Sequence, residues 1–162
     1  MYKPINQIFL GIDPGLCKTG WAIIRMDQVN DFTYISSGII KTSTNDADFI
    51  RLKVIYNSLL KIIIQYQPAN AAIEDTYVNI NHRTSLKLSQ SKAASLIAMA
   101  QKNLHIYQYS PKTVKKFVTG SGNSNKQQVL KAINNYFPTI NITNNDESDA
   151  LAVAMCIATS II

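Results

Sequence analysis

The sequence predicts an α/β protein, a mixed β-sheet with helices on both faces. Three observations predict it. Three strand-like runs lie close together near the N-terminus, joined by connections short enough for an antiparallel meander. Beyond them helical and strand patterns alternate, as crossover units do. The apolar runs at residues 8–12 and 71–73 are short and bounded by turn or charge signals, which reads as buried strand.

The first strand is Ile8-Phe9-Leu10-Gly11-Ile12, ending in Asp13 before the breakers Pro14-Gly15. Asp is a poor strand former and costly to bury unpaired, so Asp13 is a charge held at the tip of a rigid element. Gly20 opens the second strand, Trp21-Ala22-Ile23-Ile24, which the polar residues 27–31 should end. The third covers residues 32–40. A polar loop over 43–48 leads into a helix over 48–66, where Ile50, Val54, Ile55, Leu59, Ile62 and Ile63 recur at helical spacing. Gln67-Pro68 stops it. Ala71-Ala72-Ile73-Glu74 is a fourth strand that repeats the logic of the first, a carboxylate closing an apolar run.

Residues 77–84 read as a loop with a basic cap, His82-Arg83, before a helix over 84–102. Its small residues, Ala93, Ala94, Ser95, Ala98 and Ala100, permit close packing on another element or another subunit. A fifth strand covers 105–109. Ser110-Pro111 is an N-cap followed by Pro at the first helical position, for a helix to about Val118. Gly120-Ser121-Gly122 interrupts, and Ser124 with Gln127 predicts a capping box for a helix ending near Tyr136. The last helix starts at Asn145 or Asp146 and carries the apolar run of residues 150–162.

The 162 residues are enough for one domain with a core, and no linker or repeat divides 1–162. Hydrophobic residues make up 46% and charged residues 16%, an ordinary globular composition that excludes a disordered or low-complexity chain. Sixteen Lys and Arg against ten Asp and Glu give +6, which suits a polyanionic partner. Cys17 and Cys156, far apart in apolar surroundings, are expected to be reduced core thiols. No secretory signal is visible, and residues 150–162 are too few for a membrane-spanning helix. The expected location is cytoplasmic, with no membrane contact.

Asp146 and Asp149 stand three apart at a helix start and share a face, where the helix dipole favours negative charge. Asp146 also has an ordinary structural reading as an N-cap. Asp149 adjoins the buried run Ala150-Leu151-Ala152-Val153, which makes a surface role harder to sustain. If Asp13, Glu74, Asp146 and Asp149 meet, unit charges at 4 Å repel by roughly 1–4 kcal/mol. A cation relieves that repulsion, and all-oxygen ligands select Mg²⁺ or Mn²⁺. Two such ions serve phosphoryl transfer by clamping the attacking and leaving oxygens.

At this point a family resemblance becomes specific. Gly11-Ile12-Asp13-Pro14-Gly15 with Thr19-Gly20, then Ala72-Ile73-Glu74, then Gly120-Ser121-Gly122 with Lys126-Gln127-Gln128-Val129, and finally Asp146-Glu147-Ser148-Asp149-Ala150-Leu151-Ala152 occur in one order. Together they resemble the RuvC family of Holliday-junction resolvases over nearly the whole chain. The resemblance implies an RNase H-like fold, a five-stranded mixed sheet of order 3-2-1-4-5 with strand 2 antiparallel. It implies that Asp13, Glu74, Asp146 and Asp149 are the catalytic, metal-binding carboxylates, holding two Mg²⁺ per subunit, with Mn²⁺ able to substitute. It further implies a homodimer on four-way junction DNA, RuvA and RuvB as partners, and products with 5′-phosphate and 3′-hydroxyl ends. The helix over 84–102 is the expected dimer surface.

The same resemblance places Tyr77 where the family stacks an aromatic on an unpaired base. It matches Lys115 and Lys126 to lysines near the scissile strand, although Lys is usually a solvated residue. Gly120 and Gly122 would let the backbone approach phosphates. Arg83, with Lys87 and Lys112, is an expected backbone contact. Asp75 departs from the pattern, which often has an uncharged residue there. On a strand its side chain faces away from that of Glu74, so no ligand role is expected.

Four rivals are weaker. An actin-like or sugar-kinase ATPase also begins with a strand and Gly-x-Asp but needs two lobes. A P-loop needs Gly before Lys18, and Cys17 stands there. Another RNase H-like nuclease, ribonuclease H or YqgF-type, would share the carboxylates but lack the motif at 120–129. A non-catalytic junction-binding module has no use for four acids facing a polyanion.

Overall fold

The computed structural model describes residues 7–75 and 82–161. The elements run β1 (Gln7–Asp13), β2 (Lys18–Gln28), β3 (Asp31–Lys41), α1 (Asp48–Tyr66), β4 (Asn70–Glu74), α2 (His82–Gln101), β5 (His105–Tyr109), α3 (Pro111–Thr119), α4 (Lys126–Tyr136) and α5 (Asn145–Ser160). The sheet order is β3-β2-β1-β4-β5, as the family resemblance implies. β2 is antiparallel to both neighbours, whereas β1, β4 and β5 run parallel.

Side-chain alternation along β1 sorts the core into two layers. Phe9 joins Ala22, Ile24, Ala72 and the apolar faces of α3, α4 and α5 on one side. Leu10 and Ile12 join Ile23, Ala71, Ile73, Ile55, Leu59, Ala98 and Met99 on the side covered by α1 and α2. α5 is buried almost all round from Ala150 to Ala158, because it lies across β1, β2 and β4 with α3 and α4 packed outside it. Such a helix must be apolar on every face, which explains the unbroken run at its centre.

The close seat of α5 depends on two glycines. A Cβ on Gly11 would lie 2.2 Å from the Ala150 carbonyl oxygen and 2.5 Å from the Ala154 nitrogen. A Cβ on Gly20 would lie 2.1 Å from the Asp146 carbonyl oxygen. Real side chains do not approach this closely, so helix backbone rests on strand backbone here.

The structure corrects several expectations. β2 does not end at Asp27 but runs to Gln28, because Asp27 pairs with Arg25 (2.7 Å) and accepts from Thr33 of β3 (2.9 Å). A polar segment thus continues a strand when its polar groups face one another across the hairpin. The turn is Val29-Asn30, with Asn30 at φ 62°. The capping box of α4 is one residue later than expected. Asn125 Oδ1 accepts from the Gln128 amide (2.9 Å) and Gln128 Oε1 from the Asn125 amide (2.8 Å). Ser124 is buried instead and shares a hydrogen bond with Thr119 (2.6 Å). Arg83 lies in the first turn of α2 and not in a loop. Cys156 is buried, but Cys17 is exposed, since it sits in the hairpin turn and not in the core.

Candidate active site

The active-site candidates lie where the C-terminal ends of two parallel strands meet the start of α5. β1 and β4 pair with Ile12 beside Ile73, so the next residues, Asp13 and Glu74, end the two strands side by side. Period-two alternation directs Asp13 to the face of Phe9 and Gly11, and Glu74 to the face of Ala72. That is the α5 face. The contacts of Gly11 with Ala150 and Ala154, and of Gly20 with Asp146, fix the first two turns of α5 over these strand ends. Asp146 and Asp149 are carried there with them.

The turn after Asp13 is closed by Thr19, which is fully buried. Its hydroxyl donates to the Gly15 carbonyl (2.7 Å) and accepts from the Gly15 amide (3.4 Å). The cap of α5 is Asn144, whose Oδ1 accepts from the Asp146 amide (2.8 Å). The structural alternative for Asp146 therefore falls away: Asp146 is capped and does not cap, which leaves its carboxylate for the cluster.

The electrostatics show that the carboxylates meet. Burial holds the Asp13 carboxyl well above its ordinary range, and Glu74, Asp149 and Asp146 push it further; Lys126 opposes them. Glu74 is raised to about 7 by burial and then by Asp149, with Lys115 and Lys126 pulling it back. Asp149 is raised by burial and by Asp146, against Lys126 and Lys115. Glu147 is raised by burial and by Asp146 but exerts no influence on Asp13, Glu74 or Asp149. The four acids crowd one another beyond what two lysines neutralise.

Lys115 comes from α3 and Lys126 from the first turn of α4, where Lys126 Nζ stands 3.9 Å from Asp149 Oδ2. The linker between these helices is tightly built. Ser110 caps α3 through the Thr113 amide (3.1 Å), and Gly120 ends it at φ 82°, a conformation that suits glycine. A Cβ on Gly122 would press on the Lys112 carbonyl at 3.2 Å. Both glycines thus have backbone reasons for being there. Lys112 is exposed, and Lys87 pairs with Asp48 at 3.7 Å.

Asp75 turns away from the cluster, as strand alternation requires, and pairs with Lys92 of α2. Tyr77 and the side chain of His82 lie outside the described residues. Arg83 is exposed and lines a pocket on the other side of the β1–β2 turn, away from the carboxylates. Sequence reasoning missed Arg51, which is 4% exposed beneath that turn and donates to Thr42 (3.0 Å) and Cys17 (2.9 Å). The signal was its place among the apolar positions of α1, next to Ile50 and one turn before Ile55.

The donor set fits a hard divalent cation: oxygen ligands only, repelling one another, and too few local cations. Among the described residues no three His, Cys, Asp or Glu form a closed metal cage. The four carboxylates instead keep some exposure, which leaves coordination positions to water and substrate phosphate, the usual habit of Mg²⁺.

Comparison with known proteins bears on the same residues. Residues 9–157 match the family model for crossover junction endodeoxyribonuclease RuvC. The Rickettsia massiliae protein of that name is 46% identical over 155 residues, covering 94% of this chain and 98% of its own. The Rickettsia akari protein is 47% identical over 149 residues, covering 91% and 94%. Among solved structures, T. thermophilus RuvC in complex with Holliday junction substrate superposes with a TM-score of 0.88 at 22% identity, covering 96% of this chain and 94% of that one. The yeast mitochondrial Holliday junction resolvase Ydc2 superposes at 0.68 with 13% identity, over 96% and 80%.

Proposed function

The chain belongs to the RuvC family of crossover junction endodeoxyribonucleases, and from that premise we propose that it resolves Holliday junctions by paired, symmetric nicks in homologous recombination and DNA repair. The observation that carries the reading is the gathering of Asp13, Glu74, Asp146 and Asp149 at two parallel strand ends and one helix start, with Lys115 and Lys126 facing them. Residues 1–162 act as one RNase H-like nuclease domain.

The four carboxylates would hold two Mg²⁺ ions per subunit, or Mn²⁺ in their place. Bound there, the ions supply Lewis-acid stabilisation of the phosphate oxygens and ease proton loss from the attacking water. The chain's own residues do the rest. β1, β4 and α5 hold the ligands on rigid elements, which limits the reorganisation needed at the reacting phosphate. Lys126 and Lys115 present ammonium groups to the charge that develops on the phosphate. Gly120 and Gly122 admit the DNA backbone, Arg83 contacts a phosphate, and Tyr77 stacks on an unpaired base. Hydrolysis leaves a 5′-phosphate and a 3′-hydroxyl.

Two like-polarity strands of a symmetric junction need two sites related by a two-fold axis, hence a homodimer. α2 is the proposed contact, supported by its exposed Leu86 and Ile97 and by an apolar groove against α1 that includes Tyr56 and Ala93. RuvA and RuvB are proposed partners, and the cytoplasm the proposed location. Among the described residues no helix is long and apolar enough to cross a membrane.

A synthetic four-way junction and a plain duplex, each incubated with the protein and Mg²⁺, test the reading. Paired nicks confined to the junction are expected. Equal cutting of both would indicate a general RNase H-like nuclease, and binding without cutting a non-catalytic module.

A further inference from the structure

A second basic site lies on the opposite side of the β1–β2 turn from the carboxylates. A cavity of 720 Å³ opens between that turn and the start of α2, and its lining includes Lys18, Arg51, Arg83, Lys87, Thr44 and Cys17. None of the four carboxylates lines it, yet Gly15 at its rim is two residues beyond Asp13. Four cations from three separate elements converge here, from the hairpin turn, α1 and α2.

The cations divide into two kinds. Arg51 is buried and occupied: it pairs with Asp48 at 3.4 Å and donates to Thr42 and Cys17, so it supports the floor. Lys87 also leans on Asp48, at 3.7 Å. Lys18 and Arg83 are exposed and, among the described residues, have no carboxylate partner. One acid thus serves two cations, and two further cations remain at the mouth with the hydroxyl of Thr44. Such a set recognises an anion with several oxygens, and a guanidinium beside an ammonium is the pairing that binds phosphodiesters.

We propose that this pocket is a second DNA-backbone site, which grips a junction phosphate away from the scissile bond while the carboxylates act on theirs. The proposal rests on the junction-nuclease reading and adds to it a subsite built from Lys18, Arg51, Arg83 and Lys87. A rigid turn with Asp13 at one end and this pocket at the other would couple backbone grip to the position of the cleaved phosphate.

Cys17 supplies a probe. It is exposed in the pocket, whereas Cys156 is buried and serves as the internal reference. The full-length protein, in chelator at low salt, is treated with iodoacetamide alone, with four-way junction, and with inorganic phosphate. Junction binding is followed in parallel by gel shift, and cutting in a separate Mg²⁺ reaction. The expected result is that bound junction slows Cys17 alkylation at least tenfold while millimolar phosphate does not. A junction that binds and is cut, yet leaves Cys17 fully reactive, overturns the pocket alone. Equal protection by inorganic phosphate overturns the DNA assignment in favour of a small-anion site. Failure to bind or cut any junction defeats the functional reading, and the subsite falls with it. Lys18→Ala with Arg83→Ala changes two exposed side chains and spares the buried Arg51. It should weaken junction binding about tenfold and reduce the steepness of log K against log salt by about two. An unchanged salt slope would also overturn the proposal.

Discussion

On the α5 side of the sheet, backbone meets backbone. Gly11 and Gly20 offer no side chain, so the first turns of α5 settle directly on β1 and β2, and four carboxylates are drawn into one place. On the other side, α1 and α2 meet the sheet through Ile55, Leu59, Ala98 and Met99, and the acids there have cations. Glu74 and Asp75 repeat the contrast within two residues. One faces the acid cluster and is pushed to about 7; its neighbour faces α2 and pairs with Lys92. A pairing that satisfies charge serves the fold, whereas a cluster that leaves charge unsatisfied is maintained against the fold's own interest. The second kind is where chemistry is to be sought.

The largest effect is expected where the contrast is sharpest. Asp13→Asn keeps the shape of the side chain but removes the charge that all three other acids act upon. Cleavage of a four-way junction at matched Mg²⁺ should fall by more than roughly a thousandfold, as loss of a central electrostatic group does. Gel-shift affinity for the junction should hold. Nicking at near wild-type rate would remove the metal assignment and reduce the α5 face to ordinary packing.

Next comes the glycine seat. Gly11→Ala puts a methyl 2.2 Å from the Ala150 carbonyl and 2.5 Å from the Ala154 amide nitrogen, so the helix must lift from the strand. Overpacking of this kind costs about 3 kcal/mol, or a melting temperature lower by about 6–12 °C for a chain of this size. Junction cleavage should fall with it, because α5 carries Asp146 and Asp149. A variant that melts normally but cuts poorly would separate the seat from the fold; one that does neither would show that the close approach is dispensable.

How far these two faces could be read in advance differs. Most elements announced themselves: α1 by its spacing of Ile and Leu, β1 and β4 by apolar runs ending in acid, α3 by Ser110-Pro111. Even the shared face of Asp13 and Glu74 follows from period two once β1 and β4 are neighbours, but their adjacency in the sheet came from family resemblance and not from pattern. What failed was local competition among similar residues. Ser124, Asn125, Gln127 and Gln128 contain two overlapping capping boxes, and burial of Ser124 against Thr119 decides between them. Likewise Asn144, Asn145 and Asp146 all suit a cap, and only the fold shows that Asn144 takes it. Arg51 was illegible for another reason. A cation inside an apolar periodicity reads as an exposed interruption until its partners, Thr42 and Cys17, arrive from the hairpin turn.

A smaller effect, of opposite sign to most mutations, should follow from relieving the cluster. Glu74 has a folded pKa raised from 4.5 to about 7. A raised carboxyl contributes stability that is fully present below 4.5 and lost as pH rises through about 7, where the ionised group opposes folding. At pH 8 and without divalent metal, Glu74→Gln should therefore raise the melting temperature, by an amount corresponding to roughly 1–3 kcal/mol. At pH 4 the gain should vanish. Mg²⁺ should stabilise the unaltered protein more at pH 8 than at pH 5, since protons and metal compete for the same oxygens. A loss of stability at pH 8 on Glu74→Gln would mean that the cluster is already compensated.

The smallest effect belongs to the neighbouring acid, and it tests whether the contrast within two residues is real. Asp75→Asn removes a charge that faces Lys92 and leaves β4 intact, including the hydrogen bond from the Asp75 amide to the Tyr109 carbonyl (2.7 Å). The Asp75 side chain is 44% exposed, so solvent screens the pair and the expected loss is only about 0.5–1 kcal/mol. The melting temperature should fall by about 1–4 °C at pH 8, the reverse in sign of Glu74→Gln measured beside it. Lys92→Met should match it, and the double variant should cost less than the two single losses added together, because each single change strands the same partner. If Asp75→Asn instead raised stability as Glu74→Gln does, the two acids would share one repulsive field and the sheet would not divide them. Opposite signs at adjacent positions would show that a single turn of strand pleat separates a charge kept for chemistry from a charge kept for the fold.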